Sequence, residues 1–323
     1  MQYKTLGKTG MRVSQLCFGT MSFGSRADRG ESQRMYSICR DRGINFFDCA
    51  NVYSKGTAET FLGSFIASER DKVIITTKAH GPTSDDINSR GCSAKNLRLS
   101  LEASLKRLKT DYVDVFFLHG YDSDTSEETM QRTLDQFIRE GKILSIGVSN
   151  YAAYQVERLL RISEVKNLAP VQVIQPMYSI AKRQAEVELL PMAQAEGLGV
   201  VTYSPLGGGL LSGRYKDGIS LAQGRLVENE KYSIRYSGSF YEQLARQFSL
   251  LAEELGVEPA PLALRWVMNN PLVTAPIIGS ANAVQLEQTL KACTLALSKE
   301  VCSRIEAISP SPPPAHDRSE EQL

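Results

Sequence analysis

Ile44-Asn45-Phe46-Phe47-Asp48 is a short run of β-branched and aromatic residues that ends on a carboxylate. Two later runs are built the same way. Val73-Ile74-Ile75-Thr76-Thr77 ends on Lys78, and Val113-Asp114-Val115-Phe116-Phe117-Leu118 ends on His119. Each has the composition of a buried strand, and each precedes a helix-like stretch. In a parallel βα barrel the C-terminal strand ends converge on one mouth, where catalysis is located. Three strand ends then bring together a carboxylate, an ammonium and an imidazole. Tyr53, five residues beyond Asp48 in the following loop, adds a phenol. That set suits proton transfer to a carbonyl.

Outward from these runs, strands and helices alternate along the chain. The spacing predicts strands at 16–18, 45–48, 73–78, 113–118, 143–149, 171–175, 199–204 and 274–278. It predicts helices at 31–42, 58–68, 93–108, 127–140, 152–161, 186–195, 241–255, 261–269, 284–293 and 301–308. In the third of these, Leu97, Leu101, Leu105 and Leu108 share one face. Eight βα units in one compact length favour a closed (β/α)₈ TIM barrel over an open sheet. Ahead of them, residues 3–6 and 12–14 flank Lys8-Thr9-Gly10, a hairpin placed to plug the lower end of the barrel. Residues 1–308 read as one barrel domain. The longest irregular stretch, 206–239, leaves the active end after the seventh strand and has the length of a functional loop or lid. Residues 309–323, with Pro310, Pro312, Pro313 and Pro314, lack the apolar residues to fold and are expected to be disordered.

Composition narrows the partners. The 323 residues are 42% hydrophobic and 23% charged, with net charge +1 and no long basic run. Nucleic acid and anionic membrane surfaces are therefore not expected. The start, Met1-Gln2-Tyr3-Lys4, lacks the apolar core of a signal peptide, and no apolar stretch reaches the ~20 residues of a membrane span. A cytoplasmic location is the default. Six dispersed cysteines and three dispersed histidines offer no CxxC pair and no zinc spacing, so no metal is expected.

Taken singly, Lys78 and Asp48 read as a structural ion pair, Tyr53 as a loop tyrosine and His119 as a satisfied core histidine. Their joint placement at strand ends is what makes them a site. A free phenol has a pKa near ~10. A neighbouring Lys78 is expected to stabilise the phenolate and lower that value, with Asp48 holding Lys78 charged and His119 positioning the carbonyl.

These residues also carry a family likeness. Phe47-Asp48-Cys49-Ala50-Asn51-Val52-Tyr53, followed by Gly56, Glu59 and Leu62-Gly63, resembles the signature of the aldo-keto reductases. So do Leu118-His119, the run Gly141-Lys142-Ile143-Leu144-Ser145-Ile146-Gly147-Val148-Ser149-Asn150, the segment Gln175-Pro176-Met177-Tyr178, and Tyr203-Ser204-Pro205-Leu206-Gly207-Gly208-Gly209 through Tyr215. The likeness covers about residues 1–308. It implies a nicotinamide-dependent carbonyl reductase acting on a small carbonyl or alcohol substrate, as a monomer or homo-oligomer. It matches Asp48, Tyr53, Lys78 and His119 to the catalytic four. Ser149, Asn150 and Gln175 match the groups that bind the carboxamide, and Tyr203 the ring that stacks on the nicotinamide. Gly19, Thr20 and Met21 match the first loop. Ser204, Pro205, Leu206, Gly208, Ser212 and Arg214 match the loop over the pyrophosphate. Ile278, Gly279, Ser280 and Gln285 match the last phosphate and adenine site, at a helix N-terminus that favours an anion.

Two positions depart from the pattern. Ala281 stands where an arginine often holds the 2′-phosphate of NADP, and Thr289 replaces a common asparagine. NADP is the expected cofactor, NAD the alternative, with Ser280, Asn282, Arg214 or another basic loop residue as compensating groups. The likeness also extends to potassium-channel β subunits, so a regulatory nicotinamide-binding barrel with little turnover is the alternative function. The catalytic four do not separate the two.

Overall fold

In the computed structural model, which describes residues 1–219 and 223–318, eight parallel strands close into a barrel. They are β3 (Cys17–Gly19), β4 (Phe46–Asp48), β5 (Ile74–Ala79), β6 (Val113–Leu118), β7 (Ile143–Ser149), β8 (Val171–Gln175), β9 (Gly199–Thr202) and β10 (Ala275–Ile278), in chain order around the ring, with β10 paired back to β3. An antiparallel hairpin, β1 (Tyr3–Thr5) with β2 (Arg12–Ser14), precedes them. The two-residue side-chain period sorts each strand between two cores. Cys17, Phe46, Val115, Phe117, Val173, Val201 and Ala275 form the inner cluster, joined by Leu6 and Val13 of the hairpin segment. The intervening Phe18, Phe47, Ile75, Phe116, Ile174 and Val200 face the helices. The same period carries Gly19, Asp48, Lys78, His119, Ser149, Gln175 and Tyr203 onto the inward face at the C-terminal strand ends. Gly147 is required within the barrel, because a Cβ there would stand 2.4 Å from the Phe117 ring.

Helices α1 (Arg29–Asp41), α2 (Thr57–Ile66), α3 (Ala94–Leu108), α4 (Glu127–Arg139), α5 (Ala153–Lys166) and α6 (Leu189–Glu196) alternate with the strands. Several start where a short polar side chain accepts a free backbone N–H: Asp28 caps α1, Ser93 caps α3 and Ser126 caps α4. The helix expected at 186–195 begins later. Gln184–Glu186 is a 3₁₀ turn, and Glu186 is held by Tyr178 and Arg183. The regular helix then starts at Leu189, which leaves Pro191 in its first turn, where a missing N–H costs nothing. The long 206–239 stretch is more ordered than expected. It contains a 3₁₀ segment (Gly207–Ser212) and two short helices, α7 (Arg225–Glu228) and α8 (Glu230–Arg235). Residues 220–222 of this stretch, and 319–323 of the tail, lie outside the described residues. The chain continues through α9 (Ser239–Glu254), α10 (Pro259–Asn269), α11 (Ala283–Leu290) and α12 (Lys299–Ile308).

The tail expected to be free is anchored at its root. Ser309 is buried; its hydroxyl donates to the Ile180 carbonyl, and its own carbonyl accepts from Arg183. Arg183 Nη2 also donates to Ser311 Oγ at 2.7 Å. Arg183 is itself buried against Trp266 and paired with Glu186 at 2.8 Å. No regular element follows among residues 310–318. A chain ending at Ile308 should therefore lose about 1–3 kcal/mol of unfolding free energy, from buried groups left without these partners. A chain ending at Ser311 should lose much less. Urea unfolding of the two truncations checks this; equal stability would mean that the anchor contributes nothing.

Candidate active site

Adjacent strands β4 and β5 place Asp48 beside Thr76, two residues before Lys78. The Lys78 side chain is fully buried. Its Nζ donates to Asp48 Oδ2 at 2.6 Å and to the Cys49 carbonyl at 2.7 Å. The other carboxylate oxygen, Oδ1, accepts from Thr76 Oγ1 at 2.7 Å and from Gln175 Nε2 at 2.9 Å. Asp48 is therefore held at both oxygens, from strands β5 and β8. Lys78 Nζ stands 5.2 Å from the centroid of the Tyr53 ring, and the Tyr53 and His119 rings meet edge to face at 6.0 Å. The four residues thus form one contiguous cluster. Thr76 was not among the expected site residues, although its inward parity two positions before Lys78 is a usable signal. Glu59, part of the sequence likeness, is turned away from this cluster and binds Thr77 and Arg107.

The electrostatics differ from expectation in one respect. Burial raises the Tyr53 phenol, Lys78 pulls it back and Asp48 raises it again, leaving it at about 12. Lys78 acts in the expected direction, but desolvation outweighs it, so the net lowering is not found. Burial works against the Lys78 ammonium too, yet Asp48 and Tyr53 overcome it and hold the amine above its ordinary value. His119 is lowered to about 3 by burial, then by Lys78 and His80. At neutral pH it is an uncharged imidazole with one N–H to donate.

This cluster opens on a cavity of about 950 Å³, at the upper end of the roughly 300–1,000 Å³ usual for small-molecule and cofactor sites. Every residue matched above to cofactor binding lines it except Thr20, which is buried behind, its hydroxyl donating to the Asp48 carbonyl. The polar groups at the catalytic end are linked to one another. Ser149 Oγ donates to the Gln175 carbonyl at 2.9 Å, Asn150 Nδ2 to the His119 carbonyl at 2.8 Å, and Tyr203 OH to Asn150 Oδ1 at 2.6 Å. Asn150 and Ser204 have φ of +61° and +57°, a left-handed conformation that turns the chain sharply just after β7 and at the end of β9. Gly208 has φ +67°, and a Cβ there would lie 2.6 Å from the Tyr232 ring, so this glycine run is a shaped cradle rather than a loose turn.

At the far end, Ser280 is buried on the cavity wall, and its hydroxyl has no partner among the described residues. That orphan donor, the glycine cradle and the Arg214 guanidinium, which makes no ion pair among the described residues, fit a phosphate-bearing dinucleotide. Asn282, foreseen as a compensating group, uses its side-chain oxygen at the start of the last crossover helix. It caps α11, accepting from Gln285 N at 2.9 Å. Other wall residues were not singled out: Arg26, Arg225, Lys231, Arg235 and Glu258. Arg26 pairs with Glu228 at 3.0 Å, linking the loop after β3 to α7. Both side chains are exposed, so the pair is worth at most about 1 kcal/mol. No local pattern connects residues 202 positions apart.

Comparison with known proteins agrees with this geometry. The model of the Aldo/keto reductase family matches residues 15–310. The chain is 37% identical to the uncharacterized oxidoreductase YrpG of Bacillus subtilis, over 97% of each chain. It is 36% identical to a probable voltage-gated potassium channel subunit beta of Oryza sativa, over 97% of this chain and 98% of that one. It is 32% identical to norsolorinic acid reductase A of Aspergillus parasiticus, over 93% and 79%.

Proposed function

Because the chain belongs to the aldo/keto reductase family, we propose that it is an NAD(P)H-dependent oxidoreductase that reduces an aldehyde or ketone to the alcohol. The observation that carries this reading is the buried Lys78–Asp48 pair beside the Tyr53 phenol and an uncharged His119, on the wall of one large cavity. The nicotinamide, when bound, supplies the hydride. Tyr53 holds the proton that the carbonyl oxygen takes as it becomes a hydroxyl, and a pKa of about 12 keeps that proton in place at neutral pH. His119 orients the carbonyl oxygen through its N–H. Lys78 balances the phenolate left behind, and Asp48, fixed by Thr76 and Gln175, keeps the ammonium charged and in position. Alcohol oxidation uses the same groups in reverse. Ser149, Asn150, Gln175 and Tyr203 would hold the nicotinamide, the 204–214 segment the pyrophosphate, and Gly279, Ser280 and Gln285 the adenosine end. No helix among the described residues is long and apolar enough to cross a membrane, and a cytoplasmic setting is proposed on that footing.

NADP is the proposed cofactor. Ala281, on the cavity wall, offers no side-chain group to a 2′-phosphate. Ala281→Arg should tighten NADPH binding about tenfold, as one charge-assisted hydrogen bond of roughly 1.5–3 kcal/mol implies, and leave NADH within twofold. Fluorescence titration with both cofactors reads this. An unchanged NADPH affinity would mean that another cation already holds the phosphate.

The test of the function is the same titration on the wild-type protein, followed by loss of reduced-nicotinamide absorbance across a panel of aldehydes and ketones. Tight cofactor binding without turnover of any of them would favour the second reading, a regulatory barrel. That reading has its own support in the 36% identity to a protein named a probable channel β subunit.

A further inference from the structure

Tyr53 opens a 3₁₀ turn, Tyr53–Gly56, and the rest of that turn is left-handed. Ser54 has φ +48°, Lys55 φ +53° and Gly56 φ +89°. Glycine enters this region freely, whereas a Cβ there crowds the following carbonyl. Side-chain-bearing residues persist in it where their surroundings hold them, and they gather at working sites.

Here the turn is held from two sides. On one side stands the loop after β3. Ser54 Oγ donates to the Phe23 carbonyl at 2.6 Å. Phe23 N donates to the Thr20 carbonyl at 2.9 Å, and Thr20 donates through N and Oγ1 to the Asp48 carbonyl at 2.9 and 3.0 Å. Gly24 lies so close to the start of α2 that a Cβ on it would stand 2.5 Å from the Thr57 methyl. On the other side, Arg107 of α3 packs against Gly56 and is fixed by the buried Glu59 at 2.7 Å. The cavity wall carries Gly19, Met21 and Ser22 from the loop and Tyr53 from the turn, but neither Phe23 nor Ser54. The Ser54–Phe23 bond therefore joins, from outside the cavity, the loop matched to cofactor binding and the turn that carries the phenol.

We propose that Ser54 is a positioning residue: its hydroxyl, bonded to the Phe23 carbonyl, holds the left-handed turn in place and so sets the Tyr53 phenol at the reacting carbonyl. This rests on the reductase reading above and adds to it a residue off the cavity wall. A displaced phenol gives its proton less readily, because the transfer needs hydrogen-bond reach.

Two variants separate the hydroxyl from the backbone. Ser54→Ala removes the hydroxyl and keeps a Cβ in the left-handed region. Ser54→Gly removes the hydroxyl and leaves the backbone at ease there. At saturating NADPH both should lower kcat for an aldehyde about tenfold or more, with KM within about threefold. Ser54→Gly should keep a urea midpoint close to that of the wild type, so that its loss of rate is not a loss of fold. The effect should pass through Tyr53. In a Tyr53→Phe background, Ser54→Gly should change the residual rate by less than about twofold, whereas a general loosening would cost the same factor in either background. Amide exchange of the free proteins reads the tie without turnover. Phe23 N and Gly24 N are bonded to the Thr20 and Ala27 carbonyls. Both Ser54 variants should speed their exchange about tenfold, although the substituted residue is far away in the chain. A wild-type kcat in Ser54→Gly overturns the proposal. So does unchanged exchange at Phe23 and Gly24, or a loss that persists in full in the Tyr53→Phe background. If the wild type turns over no carbonyl, the reductase reading fails. Faster exchange in the variants then leaves Ser54 as a tie between the two loops, and unchanged exchange removes that as well.

Discussion

Tyr53→Phe is expected to lower kcat for carbonyl reduction by about 10²–10⁴-fold, the usual contribution of a positioned general acid. NADPH affinity should stay within about threefold. The substitution removes one oxygen and leaves the ring, which packs edge to face on His119 at 6.0 Å. The missing proton is needed only as the carbonyl oxygen gains charge, so the loss falls on the transition state and not on cofactor binding. Steady-state kinetics with an aldehyde substrate, alongside a fluorescence titration of NADPH, separate the two. Activity within a few-fold of wild type would remove Tyr53 from the mechanism.

Lys78→Met is expected to act on both activity and stability. Asp48 would keep Thr76 and Gln175 on Oδ1 but lose the ammonium on Oδ2, leaving a buried carboxylate without its cation. Breaking a buried pair in this way typically costs about 3–5 kcal/mol. The direction with pH can be worked out. The Lys78 amine is held above its ordinary value of 10.5 in the folded state. Its contribution is therefore fully present below pH 10.5 and is lost as pH climbs through the raised value. The stability gap between wild type and variant should be constant through neutral pH and narrow only in strong alkali. Kinetically, Lys78 is a lowering influence on Tyr53. Without it the phenol rises further, and the rate of alcohol oxidation, which needs the phenolate, shifts its alkaline rise to higher pH. Wild-type stability in urea together with an unchanged pH–rate profile would make Lys78 a spectator.

Much of the barrel is legible in the chain because its code is local. Alternation over five or six residues decides which side chains of 74–79 and 113–118 face inward, and a strand followed by a helix needs only adjacent segments. That is why β6, β7 and β8 fall on the residues predicted for them. Boundaries that shifted did so for reasons outside the local pattern. Glu186 was read as helical because its neighbours have helical spacing, yet Tyr178 and Arg183 hold its carboxylate in a tighter turn. The glycine run at 207–209 could be read as a turn of any shape until Tyr232 was found packed against it. The tail looked free because its own residues are polar and proline-rich. Its root is nonetheless held by Arg183, more than a hundred residues earlier.

The sequence by itself determined the eight-fold βα alternation, the hairpin ahead of it, and the parity that turns Asp48, Lys78 and His119 inward, since each depends on residues a few positions apart. Only the closed tertiary structure decided that Gln175, 127 residues from Asp48, shares its carboxylate with Thr76 and leaves the other oxygen to Lys78. Only it decided that burial outweighs Lys78 in setting the Tyr53 proton affinity, and that Arg214, Arg225, Lys231 and Arg235, which make no ion pair among the described residues, converge on one cavity. Desolvation and charge are sums over everything within several ångströms, and barrel closure brings together neighbours that the chain keeps far apart.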